Sequence, residues 1–117
     1  MYAFLLALEA GHPRKGSQGE IVHIISKKKL REFWEEHPRA KSPLEAWYQV
    51  AKHAEWESFP DVRATFNTAD AVGRFVVFDI GGNKYRLIAV IHYDRGKVYI
   101  RHVLTHAEYD EGKWKDE

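Results

Sequence analysis

With 117 residues, 44% of them hydrophobic and 14% aromatic, the chain is sized for one domain around one Trp- and Tyr-rich core. A net charge of +1 gives no overall pull toward nucleic acid, and the absence of cysteine excludes disulfides and thiolate metal sites. No apolar run approaches the roughly 20 residues that span a bilayer. The charge is local: from Arg74 to His106 the Lys and Arg at 74, 84, 86, 95, 97 and 101 stand against only Asp79 and Asp94. That excess suits either a solvated sheet edge or a surface for an anionic ligand.

Residues 1–20 read as an extension. Tyr2 to Leu8 is apolar, and His12 to Glu20 is a linker containing Gly, Pro and Lys. Nothing basic precedes Tyr2, so the pattern of a secretory signal is not met. Ile21 to Ile25 is a short β-branched run, a first strand. Ser26 then reads as an N-cap, with Lys27, Lys28 and Lys29 set against the dipole of the helix it opens. Leu30, Phe33 and Trp34 recur at helical spacing, and this helix stops before Pro38. The three lysines suit a solvated face, the alternative being contact with RNA phosphate.

Ser42-Pro43 predicts a second helix, with Ser42 as N-cap and Pro43 at the first helical position. Leu44, Trp47, Tyr48, Ala51 and Ala54 form its apolar stripe, and Trp56 and Phe59 close the helical hairpin before Pro60. Asp61 to Phe66 is ambiguous, and Asn67 to Gly73 reads as loop. Arg74 to Ile80, Lys84 to Tyr93 and Lys97 to Leu104 read as strands joined by Gly-containing turns, an antiparallel meander. Thr105 to Glu108 is a capping box opening a short helical turn. The tail from Glu111 to Glu117 is charged apart from Gly112 and Trp114, and is expected to fray. The order is that of an α+β fold: two N-terminal helices packed on one face of a small, antiparallel-dominated sheet, the other face open.

Register decides which cations meet, because side chains alternate along a strand. Gly96 suits the left-handed position of a three-residue loop, Asp94-Arg95-Gly96, which makes Tyr93 face Lys97. Arg86 then lies on one face with Ile88, Val90, His102 and Leu104, and His106 comes level with Lys84. A two-residue loop would instead bring Arg101 to the Arg86 face. The preferred cluster is therefore Arg86, Lys84 and His106, cations beside an imidazole at one sheet end, as a phosphate ligand requires.

Such a cluster suits metal-free RNA cleavage, in which the 2′-OH attacks the adjacent phosphate. A planar Arg fork can pair two phosphate oxygens, a His can transfer a proton near neutral pH, and a Tyr can stack a base or donate a hydrogen bond. Arg86, His106 and Tyr109 are the residues of those types. The structural alternatives are that Arg86 pairs with Asp79 across the meander and that His106 is only a first-turn helix residue. The three histidines at 92, 102 and 106 match no ligand spacing, so no metal and no cofactor are expected.

The segments GGNKYRLI, VYIR and THAEYD, with SKKKLREFW, EHP, AWY and FPDVRATF before them, resemble the HigB branch of the RelE-like toxins over about residues 22 to 110. The resemblance implies a ribosome-dependent mRNA endoribonuclease of the cytoplasm, acting through a concave basic face. Its partners would be mRNA on the ribosome and a cognate helix-turn-helix antitoxin, with operator DNA reached only through that antitoxin and no membrane contact. By this likeness Arg86 contacts the scissile phosphate, His106 acts as general acid and Tyr109 lies nearby. Asn83, Lys84, Arg101 and Arg74 are the further RNA-binding candidates. One departure stands out: Asp79 occupies a place where many relatives carry Asn, so the general base is open.

The likeness also bears on boundaries: residues 21–110 form the toxin domain, followed by the charged tail of residues 111–117. Relatives begin with Met just before a segment like His23-Ile24-Ile25-Ser26, a place held here by Val22. The expectation is a GTG start at Val22, with residues 1–21 upstream of the natural start. Two rival readings use the same face: a non-catalytic RNA-binding or ribosome-associated module, and a small protein-docking adaptor.

Overall fold

The computed structural model describes residues 22–116; the expectations for residues 1–21 lie outside them. Five strands form one sheet in the order β1-β5-β4-β3-β2, where β1 is His23–Ile25, β2 Asp70–Val72, β3 Phe75–Ile80, β4 Tyr85–His92 and β5 Lys97–Thr105. Pairings are antiparallel except for β1, which runs parallel to β5. The helices are α1 (Lys27–Glu36), α2 (Lys41–Ala51), α3 (Phe59–Thr65) and α4 (His106–Glu111). The expected α+β architecture is present.

One sheet face carries the main core. Leu30, Leu44, Trp47, Ala51 and Val62 from the helices are buried against Val76, Phe78, Ile80, Leu87, Ala89, Val98 and Ile100. Odd-numbered positions of β4 point into this layer, as a period of two dictates. Trp47, Trp56, Phe66 and Phe78 pack ring against ring, with centroids 5.2–6.3 Å apart. Aromatic pairs in these geometries add roughly 0.5–1.5 kcal/mol each beyond the area they bury. The stripe read from the two helices is thus core.

Several local expectations are corrected. The second helix begins at Lys41 with Ala40 as N-cap, running on from a 3-10 turn at Pro38–Ala40. Ser42 therefore lies inside the helix, and Pro43 is tolerated because first-turn N–H groups have no helical partner. Ser26 does stand at the N-cap of α1, but its side chain makes no capping bond. The ambiguous stretch is α3, with Pro60 in its first turn. Within the expected 67–73 loop, Asp70–Val72 pairs with β3 as an edge strand. Arg74 then sits in a two-residue turn with Gly73, whose φ of +58° that tight loop requires.

The hairpin before β5 is also longer than expected. His92 pairs with Lys97, leaving residues 93–96 as the loop, with Gly96 in the left-handed region. A bulge then restores register: Ala89 pairs with Ile100 but Ile88 with His102, so Arg101 is the extra residue. Beyond the bulge Arg86 faces Leu104, the pairing expected from the shorter loop. Two deviations cancel at the functional end.

The tail, described as far as Asp116, packs back on the sheet where fraying was expected. Trp114, in a 3-10 turn at Lys113–Asp116, is 3% exposed and packs with Phe75, Val77 and Ile88 on the second face of the sheet. That face, expected to be open, is partly covered by α4 and this turn. Gly112, at φ +77°, caps α4 and turns the chain back toward the sheet.

Candidate active site

Arg86 is on the partly covered face, near the end of the sheet where α4 begins. Asp79 is its direct partner on β3, and its Nε lies 3.1 Å from the Asp79 Oδ1. Arg86 Nη1 donates to the carbonyl oxygens of Asn83, at 3.0 Å, and Tyr85, at 3.2 Å. The guanidinium lies 5.1 Å from the centre of the Tyr109 ring. With its side chain only 12% exposed, Arg86 is held in one orientation. The structural partner weighed for it, Asp79, is present, and the three bonds engage Nε and Nη1 only.

Around this group opens a cavity of about 320 Å³, lined by Arg63, Thr68, Asp70, Asp79, Arg86 and Tyr109 among others. Two guanidinium groups face two carboxylates, so the cavity is not simply basic. Tyr109 stacks on Trp114 with ring centres 5.2 Å apart, and Trp114 Nε1 donates to the Tyr109 carbonyl at 3.0 Å. Burial raises the Tyr109 hydroxyl above the ordinary phenol range; Arg86 pulls it down, while Asp70, Asp79 and Asp110 push it up. The phenol is therefore protonated at neutral pH, a donor and not a base.

The capping box read from sequence is intact. Thr105 accepts from the Glu108 N–H at 3.2 Å, and Glu108 accepts from the Thr105 N–H at 2.9 Å. This fixes His106 as the first residue of α4. Its backbone N–H donates to the Lys84 carbonyl at 3.1 Å, so the two are level as expected. The His106 ring is exposed and outside the lining of the Arg86 cavity, its Nδ1 lying 3.0 Å from Asp110 Oδ2 one turn on. Lys84 and Asn83 are exposed in the turn before β4.

Arg74 and Arg101, also expected to bind RNA, line a different cavity on the sheet, together with Lys29. The three lysines opening α1 part ways as well. Lys27 covers the Tyr48 ring at 4.7 Å, Lys28 pairs with Glu32 at 3.7 Å, and Lys29 reaches that second cavity. Among the described residues no group of three or more His, Asp or Glu is arranged to hold a metal ion. No helix among them is long and apolar enough to cross a membrane.

Sequence reasoning missed Trp114, Asp110, Asp70 and Arg63. Asp110 was legible, because a carboxylate four residues after His106 faces it on a helix. A lone Trp in a charged tail was a signal for Trp114. Asp70 and Arg63 are joined to the site only by the tertiary fold.

The family described as HigB_toxin, RelE-like toxic component of a toxin-antitoxin system, matches residues 40–112. An mRNA interferase HigB of Escherichia coli O6:H1 is 32% identical over 92 residues, covering 76% of this chain and 89% of that protein. The mRNA interferase toxin HigB of Escherichia coli K12 and the mRNA interferase HigB of Shigella flexneri are each 32% identical over 92 residues, covering 76% of this chain and 88% of theirs.

Proposed function

The chain belongs to the HigB family of RelE-like toxins, and from that membership we propose that it is an mRNA endoribonuclease restrained by a partner antitoxin. The relatives are named as mRNA interferases, and the geometry here suits that chemistry. One observation carries the reading: a guanidinium locked by Asp79, two carbonyls and the Tyr109 ring, at the wall of an open cavity. A clamp fixed in advance costs little reorganisation when charge develops on a phosphate.

In the proposed reaction the 2′-oxygen bonds to phosphorus as the bond to the 5′-oxygen breaks, leaving a cyclic phosphate and a free 5′-hydroxyl. Arg86 neutralises the crowded phosphorane through Nη2. His106, oriented by Asp110, protonates the departing 5′-oxygen, and Tyr109 donates to a phosphate oxygen. Lys84 and Asn83 hold the strand beside them. The acceptor of the 2′-proton is Asp79, the one of the two cavity carboxylates that is paired with Arg86. In this reading the message is cut on the ribosome in the cytoplasm, and the antitoxin carries a helix-turn-helix that reaches operator DNA.

The experiment is inducible expression with and without the neighbouring short gene, mapping new 5′ ends on translated mRNA. Cuts confined to induction without the neighbour support the reading. RNA binding with no new ends would favour the non-catalytic module.

A further inference from the structure

We propose that the cavity between the start of α1 and the far end of the sheet is a second nucleotide subsite, taking one base and its phosphate from a single-stranded RNA. The strand's identity rests on the nuclease reading above; the subsite's chemistry rests on its own residues. The cavity measures about 420 Å³ and is lined by Ser26, Lys29, Arg74, His92, Tyr99 and Arg101 over a floor of Ile25, Val90 and Ile100. That size lies within the usual range for small-ligand sites.

Charge sets this cavity apart. Lys29, Arg74 and Arg101 line it, with no carboxylate among the described lining residues, while Glu32 and Glu36 line an adjoining cavity that shares Lys29 and Arg101. The Arg86 cavity, by contrast, balances Arg63 and Arg86 against Asp70 and Asp79. Its rings are set for a base as well. His92 and Tyr99 meet edge to face, with centres 5.2 Å apart, beside the apolar Val90, which pairs directly with Tyr99. Cations around an aromatic and apolar floor are the combination that holds a nucleotide without reading its sequence. A peptide carboxylate would use the cations and leave the rings idle.

Topology puts both cavities on one track. Arg86, Ile88, Val90 and His92 alternate onto the same face of β4. Val90 and His92 lie four and six residues from Arg86, about 13–20 Å at the usual rise per strand residue. Ile88, between them, is buried beneath Trp114, so a strand reaching both cavities passes around the C-terminal turn. The bulge supplies the last part, since the extra residue it inserts is Arg101, and bulges re-aim side chains in this way. Affinity would come chiefly from the far cavity and cutting from the near one.

The test measures binding of a six-residue, 2′-O-methylated oligoribonucleotide, which cannot be cleaved, and separately binding to vacant ribosomes. Tyr99→Leu should weaken binding about tenfold, the usual loss for one stacked base. Arg101→Gln should flatten the salt dependence by about one phosphate contact. Because both side chains are only partly buried, a native-like spectrum for either variant suffices for the comparison. Loss on the oligonucleotide assigns the nucleotide to the message; loss confined to ribosomes assigns it to ribosomal RNA. Unchanged binding to both, in either folded variant, overturns the subsite whether or not the parent cleaves. A parent that binds the oligonucleotide through Tyr99 yet never cuts RNA would remove the nuclease reading and leave the subsite standing.

Discussion

Arg86 and Asp79 face each other as direct partners on neighbouring strands, and their ion pair of 3.1 Å forms part of the wall of an open cavity. The pair orients the guanidinium and also partly neutralises it. Asp79→Asn keeps an oxygen that can accept from Arg86 Nε but removes the negative charge. Binding of uncleavable RNA should tighten several-fold while single-turnover cleavage falls by about 10²-fold or more, the usual contribution of a positioned base. If cleavage instead keeps pace with binding, Asp79 is not the proton acceptor.

Trp114 ties the C-terminal turn to the site, stacking on Tyr109 and bonding its carbonyl. Trp114→Ala should cost about 3–5 kcal/mol of folding stability, as expected for truncating a buried aromatic. Trp114→Phe keeps a stacking ring and should retain most of both stability and cleavage. Denaturant midpoints for the two variants check this; equal losses would mean that stacking is irrelevant.

How much of this was legible in the sequence follows from range. The capping box at Thr105 and the helix stripes around Leu44 and Trp47 depend on neighbours close in the chain, and they are present; His106 and Lys84 are level only because a longer loop and a bulge cancel. The Asp70–Val72 strand was hidden because three residues beginning with Asp carry no alternation; only pairing with β3 makes them a strand. The bulge at Arg101 was equally invisible, since nothing local marks it. It separates Arg101 from Arg86 while keeping Arg86 opposite Leu104. The burial of Trp114 required knowing that a second sheet face, Phe75, Val77 and Ile88, was waiting for it.

Tyr109 and Tyr93 both have hydroxyls raised above 10.0, chiefly by burial, with Asp61 adding to the effect at Tyr93. A group whose folded value is raised contributes stability that is complete below its unfolded value and lost as pH rises through the folded one. Folding stability should therefore hold up to about pH 10 and decline above it. Tyr109→Phe should flatten part of that decline in denaturant titrations across alkaline pH. An unchanged slope would show that the phenol is solvated.

His106 separates catalysis from contact. His106→Gln keeps size and polarity, so ribosome binding should stay near that of the parent while single-turnover cleavage falls by about 10²–10⁴. A loss that appears wholly as weaker binding would make His106 a contact residue, with Tyr109 the next candidate donor.

The most direct measurement is single-turnover cleavage of ribosome-bound mRNA by the parent, Arg86→Ala and Arg86→Lys, with antitoxin binding and folding followed in parallel. The account predicts that Arg86→Ala loses about 10²-fold or more while still folding and binding antitoxin. Arg86→Lys should recover little, because a point charge cannot reproduce the planar fork. An Arg86→Ala variant that cuts as fast as the parent would contradict the central claim.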